Sequence, residues 1–152
     1  MADSFDLLAG ELADLLGLPS SGGLSQGLGF RVDGVEFAMA RSRGPAELLS
    51  LYCTFGALAP DARESDFLLL LETNLMLAGS CSGAFGLIGA TREVIYAFHL
   101  PMRDMSAPLL LDALRHTAGQ AQAWQQAHLA QAGDGLFAAV GVLAPQLEGV
   151  PA

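Results

Sequence analysis

The segment from Phe67 to Ala78, FLLLLETNLMLA, holds nine apolar residues around a single charge, Glu72. At 100° per residue these side chains reach every side of a helix. Phe67, Leu71 and Ala78 share one face, Leu68 and Leu75 lie beside them, and Leu69, Leu70, Met76 and Leu77 occupy the far side. A helix resting on one small domain needs a single apolar stripe. One that is apolar all round must be covered twice, by its own domain and by something else. That second cover is the main clue to what the chain does.

Bulk properties narrow the choice. With 152 residues the chain is one domain, over 1–132, large enough to bury a core without disulfide or metal staples, followed by a tail over 133–152. Seven Arg, no Lys and sixteen acids give a net charge of −9, which disfavours nucleic acid and anionic lipid as partners. A basic or mainly apolar partner suits it better. The greasy run falls short of the ~20 residues of a membrane span. The first sixteen residues, MADSFDLLAGELADLL, carry four acids and no base, unlike a secretory signal. Cys53 and Cys81 stand 28 apart without a CxxC spacing, as expected of two reduced, buried thiols in a cytoplasmic protein.

Periodicity places the elements. Phe5, Leu8, Leu12, Leu15 and Leu16 form one stripe opposite Asp6, Glu11 and Asp14, an amphipathic helix over 3–16 ended by Gly17 and Pro19. SSGGLSQG then reads as a flexible connection. Leu28, Phe30 and Val32, then Val35, Phe37 and Met39, alternate with other residues on either side of Asp33-Gly34, a hairpin signature. ELLSLYCTFG, 47–56, is a third strand with Leu49, Leu51, Cys53 and Phe55 on one face. Asp61 and Glu64 suggest a capping box opening the greasy helix, and Gly79 its stop. Strands over 84–89 and 94–100 follow, joined at Thr91-Arg92-Glu93. Ser106 caps a last helix over about 107–131, with Leu110, Leu114, Thr117, Ala121, Trp124 and His128 on one face. The tail, which contains LFAAVGVLA, is broken by Gly141 and Pro145 and either packs back or stays disordered. The order is α-β-β-β-α-β-β-α.

No catalytic constellation emerges. His99, His116 and His128 form no HxxxH or HExxH pattern and no carboxylate pairing, so neither a metal nor a cofactor is expected. Gly22-Gly23 and Gly83-Ala84-Phe85-Gly86 fit no phosphate loop. Ser80-Cys81-Ser82-Gly83 lacks GxSxG, with no base or orienting acid to serve it. The first helix, the first strands and the middle helix offer more apolar area than one five-stranded sheet covers, which marks partner binding rather than an enzyme.

The element order and the low pI together resemble the class I type III secretion chaperones, the Tir-chaperone family. The resemblance spans residues 3 to about 130 and is most specific over 67–126. There a Leu-rich helix containing Asn74 is followed by a loop with Gly83, a hairpin, Leu100-Pro101-Met102, a helix capped within Asp104 to Ser106, and a late Trp124. The apolar tail after Gly133 departs from the family pattern.

The resemblance implies an α+β fold with a five-stranded, mostly antiparallel twisted sheet packed with helices, and a homodimer in the bacterial cytoplasm. It implies binding of the extended N-terminal segment of secreted effectors, with the export apparatus an indirect partner, no nucleic acid and no membrane insertion. The family's middle helix forms much of the dimer contact. Here that is Phe67, Leu68, Leu71, Leu75 and Asn74, the last facing its symmetry mate. A helix against its own copy is self-complementary. Effector binding by strand addition and apolar pockets falls by position to Leu8, Leu12, Leu15, Phe30, Phe37, Leu49 and Leu51. The alternative keeps the fold outside secretion, as a YbjN-like regulatory or protein-binding module.

Overall fold

Alternating apolar side chains and one tight turn start the sheet. The computed structural model describes residues 3–19, 22–44, 46–79 and 83–127. Strands β1 (Phe30–Val32) and β2 (Val35–Arg41) pair antiparallel around Asp33 and Gly34. Those two residues have φ of 50° and 80°, the positive pair that a two-residue hairpin loop requires. Strand β3 (Leu48–Ala57) continues the sheet, and β4 (Ala84–Ile88) forms a second hairpin with β5 (Glu93–Pro101). The spatial order is β1-β2-β3-β5-β4, and all four pairings are antiparallel. The two edges are therefore β1 and β4.

Among the described residues, four helices accompany the sheet. Helix α1 (Ser4–Leu16) ends as expected at Gly17, whose left-handed φ of 67° turns its N–H onto the carbonyls of Ala13 and Asp14. A short α2 (Gly22–Ser25) replaces the expected flexible connection, because Leu24 inserts into the core and anchors it. Helix α3 (Glu64–Ala78) begins later than the sequence suggests. Its N-cap is Arg63 rather than Asp61, and Asp66 rather than Glu64 reaches back, accepting the Arg63 N–H at 2.8 Å. Ser106 does cap α4 (Ala107–Ala127), its Oγ accepting the Leu109 N–H at 3.3 Å.

The core lies between one face of the sheet and helices α1 and α4. Phe37, Met39, Leu49, Leu51 and Cys53 come from the sheet, side by side through the Phe37↔Cys53 and Met39↔Leu51 registers. Leu12 from α1 and Leu110 and Leu114 from α4 close over them, all fully buried. Burial pushes the Cys53 thiol well above its ordinary pKa, which leaves it protonated and inert. Cys81 and the expected tail over 133–152 lie outside the described residues. No described helix is long and apolar enough to cross a membrane.

Candidate partner-binding surfaces

Helix α3 stands apart from this core. Among its fifteen residues only Leu70 is buried, at 8 % exposure. Phe67 is half-buried and packs on the core from the same side. The opposite side carries Leu68 (47 % exposed), Leu71 (64 %), Leu75 (78 %) and Met76 (82 %). On a 100° wheel these four span one continuous arc, shared with Glu72 and, in the first turn, with Glu64 and Ser65. Four long apolar side chains in one open stripe differ from the scattered single exposures that ordinary surfaces show.

Compared with the expected contact face of Phe67, Leu68, Leu71, Asn74 and Leu75, the stripe is rotated around the helix. Phe67 and Asn74 turn inward, and Met76 turns outward. The sequence signal for this was slight, a single charge, Glu72, within the open arc. Within the chain, the Asn74 amide, expected to face a symmetry mate, is engaged by Phe85. Its Oδ1 accepts the Phe85 N–H at 2.6 Å and its Nδ2 donates to the Phe85 carbonyl at 2.9 Å. The amide thus acts as a one-residue strand on the outer edge of β4.

Phe85 is the joint between α3 and the body. Its main chain is held by Asn74, and its ring stacks on Trp124 of α4 at 5.1 Å between centroids. Phe55 meets it edge-on at 4.9 Å and Tyr96 at 5.0 Å. Just before it, Gly83 has a φ of +126°, and a Cβ there would stand 2.5 Å from the Ala97 carbonyl oxygen. Glycine is thus required where β4 joins β5, a constraint absent from the sequence pattern alone.

The residues placed by position in effector binding divide differently. Leu8, Leu12, Phe30, Phe37, Leu49 and Leu51 are all core residues, covered within the single chain, and only Leu15 is exposed. The reason lies in the α1 stripe. Phe5, Leu8, Ala9, Leu12 and Ala13 face the core, and this arc, which includes two alanines, leaves Leu15 about 100° off its centre. On the sheet, α4 and α1 cover the face that these strand residues share. Sequence reasoning missed Leu7 and Leu109, both exposed, because each falls off the apolar period of its own segment, and Leu28, though in phase with Phe30 and Val32, is exposed because it precedes the start of β1.

The titratable groups assemble nothing comparable. Ser50 Oγ lies 3.0 Å from His99 Nδ1 on the sheet, and His116 meets Gln120 on α4 at 3.3 Å. Among the described residues no group of His, Cys, Asp and Glu is placed to hold a metal ion. His128 and residues 80–82 lie outside them.

Comparison with known proteins gives the arrangement a relative. The sequence profile of the Tir chaperone protein (CesT) family matches residues 9–125. A search of the curated proteins found no match. Among solved structures, the fold is similar to one from the ExsC–ExsE complex, with a TM-score of 0.65 and 19 % identity over 82 % of this chain and 93 % of that one. It is similar also to one from the HopA1–SchA chaperone–effector complex, with a TM-score of 0.60 and 14 % identity over 84 % and 100 %.

Proposed function

The chain belongs to the Tir chaperone protein (CesT) family, and from that premise we propose that it is a type III secretion chaperone. It binds the N-terminal segment of one or more effectors in the bacterial cytoplasm and keeps that segment extended and acceptable to the export apparatus. No reaction is catalysed and no cofactor is used. The regulatory alternative outside secretion shares the fold, but the family match favours the chaperone.

One observation carries the architecture of this reading: the open stripe of Leu68, Leu71, Leu75 and Met76 on α3. Each such side chain gains roughly 1.5–3 kcal/mol when fully buried. Contributed twice across a two-fold axis, the stripe can offset an association cost of about 4–15 kcal/mol. The chaperone is thus a homodimer joined along α3, which supplies the second cover that an all-apolar helix demands.

Effector binding then belongs to what the dimer leaves open. Leu7 and Leu15 on α1 flank the exposed Glu11, so an apolar segment with basic flanks fits this face of a chain carrying −9. The buried residues Leu8 and Leu12 support that surface from beneath. A disordered segment of roughly 100 residues that orders on binding needs a large apolar surface to offset its lost entropy.

The test is co-expression with candidate effectors from the same genome. The expected outcome is a stable complex with an effector's N-terminal segment, protected from proteolysis over that segment alone. Capture of folded domains only, or of no effector, would refute the chaperone reading.

A further inference from the structure

Helix α3 poses a problem of rotation. A helix with an apolar stripe is oriented by burying it, but one that is apolar all round gains similar area whichever side faces in. Rolling α3 by one residue would replace Leu70 in the core with Leu71 or Leu69, a leucine for a leucine. Hydrophobic burial therefore cannot decide which residues stand outside. A directional contact can, as single buried polar residues fix register in helical assemblies.

Asn74 supplies such a contact. Between 67 and 78, and among the described residues, it is the one polar side chain bonded to another element. Glu72 points to solvent, and the Thr73 hydroxyl donates to the Leu69 carbonyl of its own helix. The Asn74 amide meets Phe85 with both donor and acceptor, at 2.9 Å and 2.6 Å, so a rotated helix loses both bonds. It would also leave the Phe85 main chain without these partners at a part-buried site, which is costly. We propose that Asn74 is the positioning residue of α3: its two-way bond to Phe85 sets the rotation that turns Leu68, Leu71, Leu75 and Met76 outward. The consequence for pairing rests on the homodimer reading above, whereas the rotation itself does not.

The rotation is read in a Leu71→Glu background that keeps the chain single. Cysteines introduced one at a time at Leu70 and Leu75 are labelled with a maleimide and located by peptide mass spectrometry. With Asn74 present, position 75 should label at least 100-fold faster than position 70. Asn74→Leu should bring the two rates within about tenfold and speed amide exchange at Phe85 at least tenfold. A labelling ratio and a Phe85 exchange rate unmoved by Asn74→Leu would overturn the proposal.

Asn74→Asp separates geometry from bulk. Its carboxylate lacks the donor for the Phe85 carbonyl, but its protonated form has one donor and one acceptor like the amide. Strand β4 carries no titratable side chain; those on the two elements packed against it are Glu64, Asp66 and Glu72 on α3 and Glu93, Tyr96 and His99 on β5. Relative to the Asn74 parent at each pH, Phe85 exchange in the Asp variant should recover between pH 7.5 and pH 5.0, and in the Leu variant it should not. Equal behaviour of the two variants across that range would also overturn the proposal. In the otherwise native chain, Asn74→Leu should weaken self-association at least tenfold by sedimentation. A native chain that stays monomeric, with the labelling results intact, would refute the dimer and leave the rotation standing.

Discussion

Helices α3 and α4 are both rich in leucine, yet they relate to the fold in opposite ways. Helix α4 has a polar side, a Ser106 cap and one face on which Leu110, Leu114, Thr117, Ala118 and Ala121 are all buried. Helix α3 buries Leu70, leans Phe67 on the core, and is fastened by the Asn74–Phe85 hydrogen bonds. Leucine content therefore does not say what a helix holds together. The polar residues around it do: on α4 they leave one apolar face for the domain, and on α3 they leave a second apolar face open on the single chain.

If that contrast is sound, equal changes on the two helices must have unequal effects on the single chain. Leu114→Ala, in the α4 stripe, should cost about 3 kcal/mol, as large-to-small changes in closed cores do. A shift in the urea midpoint at constant slope measures it. Gly83→Ala, at the joint through which α3 reaches the body, should cost about 2 kcal/mol, because the φ of +126° and the Ala97 carbonyl both oppose a Cβ. Leu75→Glu should change single-chain stability by no more than about 0.5 kcal/mol, the usual scale for an exposed site. It should nonetheless weaken self-association at least 100-fold, since each two-fold contact would receive two desolvated carboxylates. A Leu75→Glu chain as destabilised as Leu114→Ala would place α3 in the core and end the contrast.

The same contrast explains what could be seen in the sequence. The α4 face, the Asp33-Gly34 hairpin, the α1 stop at Gly17 and the strand order along the chain were legible, because each depends on neighbours within a few residues. The all-round grease of α3 matches the open stripe of Leu68, Leu71, Leu75 and Met76, which the single chain leaves uncovered. Which side it would face was not legible, because a hydrogen bond to Phe85, eleven residues away and across a loop, decides it. Likewise nothing local distinguishes Leu15 from Leu12, whose fates depend on where the sheet lies beneath α1. Burial on one sheet face turned Phe30, Phe37, Leu49 and Leu51 from candidate contacts into core.

Titration offers the mildest test of the contrast. Burial raises the pKa of the Cys53 thiol. It raises that of the Tyr52 phenol also, against a bond to Ser50 that lowers it, and that of Tyr96, with the Cys53 charge adding to the rise. In the unfolded chain these groups titrate near ~8.5 for Cys and ~10 for Tyr. A folded-state pKa above the unfolded one contributes stability that is whole below the unfolded value and is lost as pH rises toward the folded one. Stability should therefore hold to about pH 8 and fall beyond about pH 8.5, with Cys53 setting the onset at a slope of at most about 1.4 kcal/mol per pH unit. All three groups lie on β3 and β5, and α3 has neither Cys nor Tyr. Alkaline pH should thus lower the urea midpoint, with the early part of the fall removed by Cys53→Ala. A midpoint flat from pH 7 to pH 10 would mean that the thiol is not sealed within the sheet core, and that the body is looser than its contrast with α3 requires.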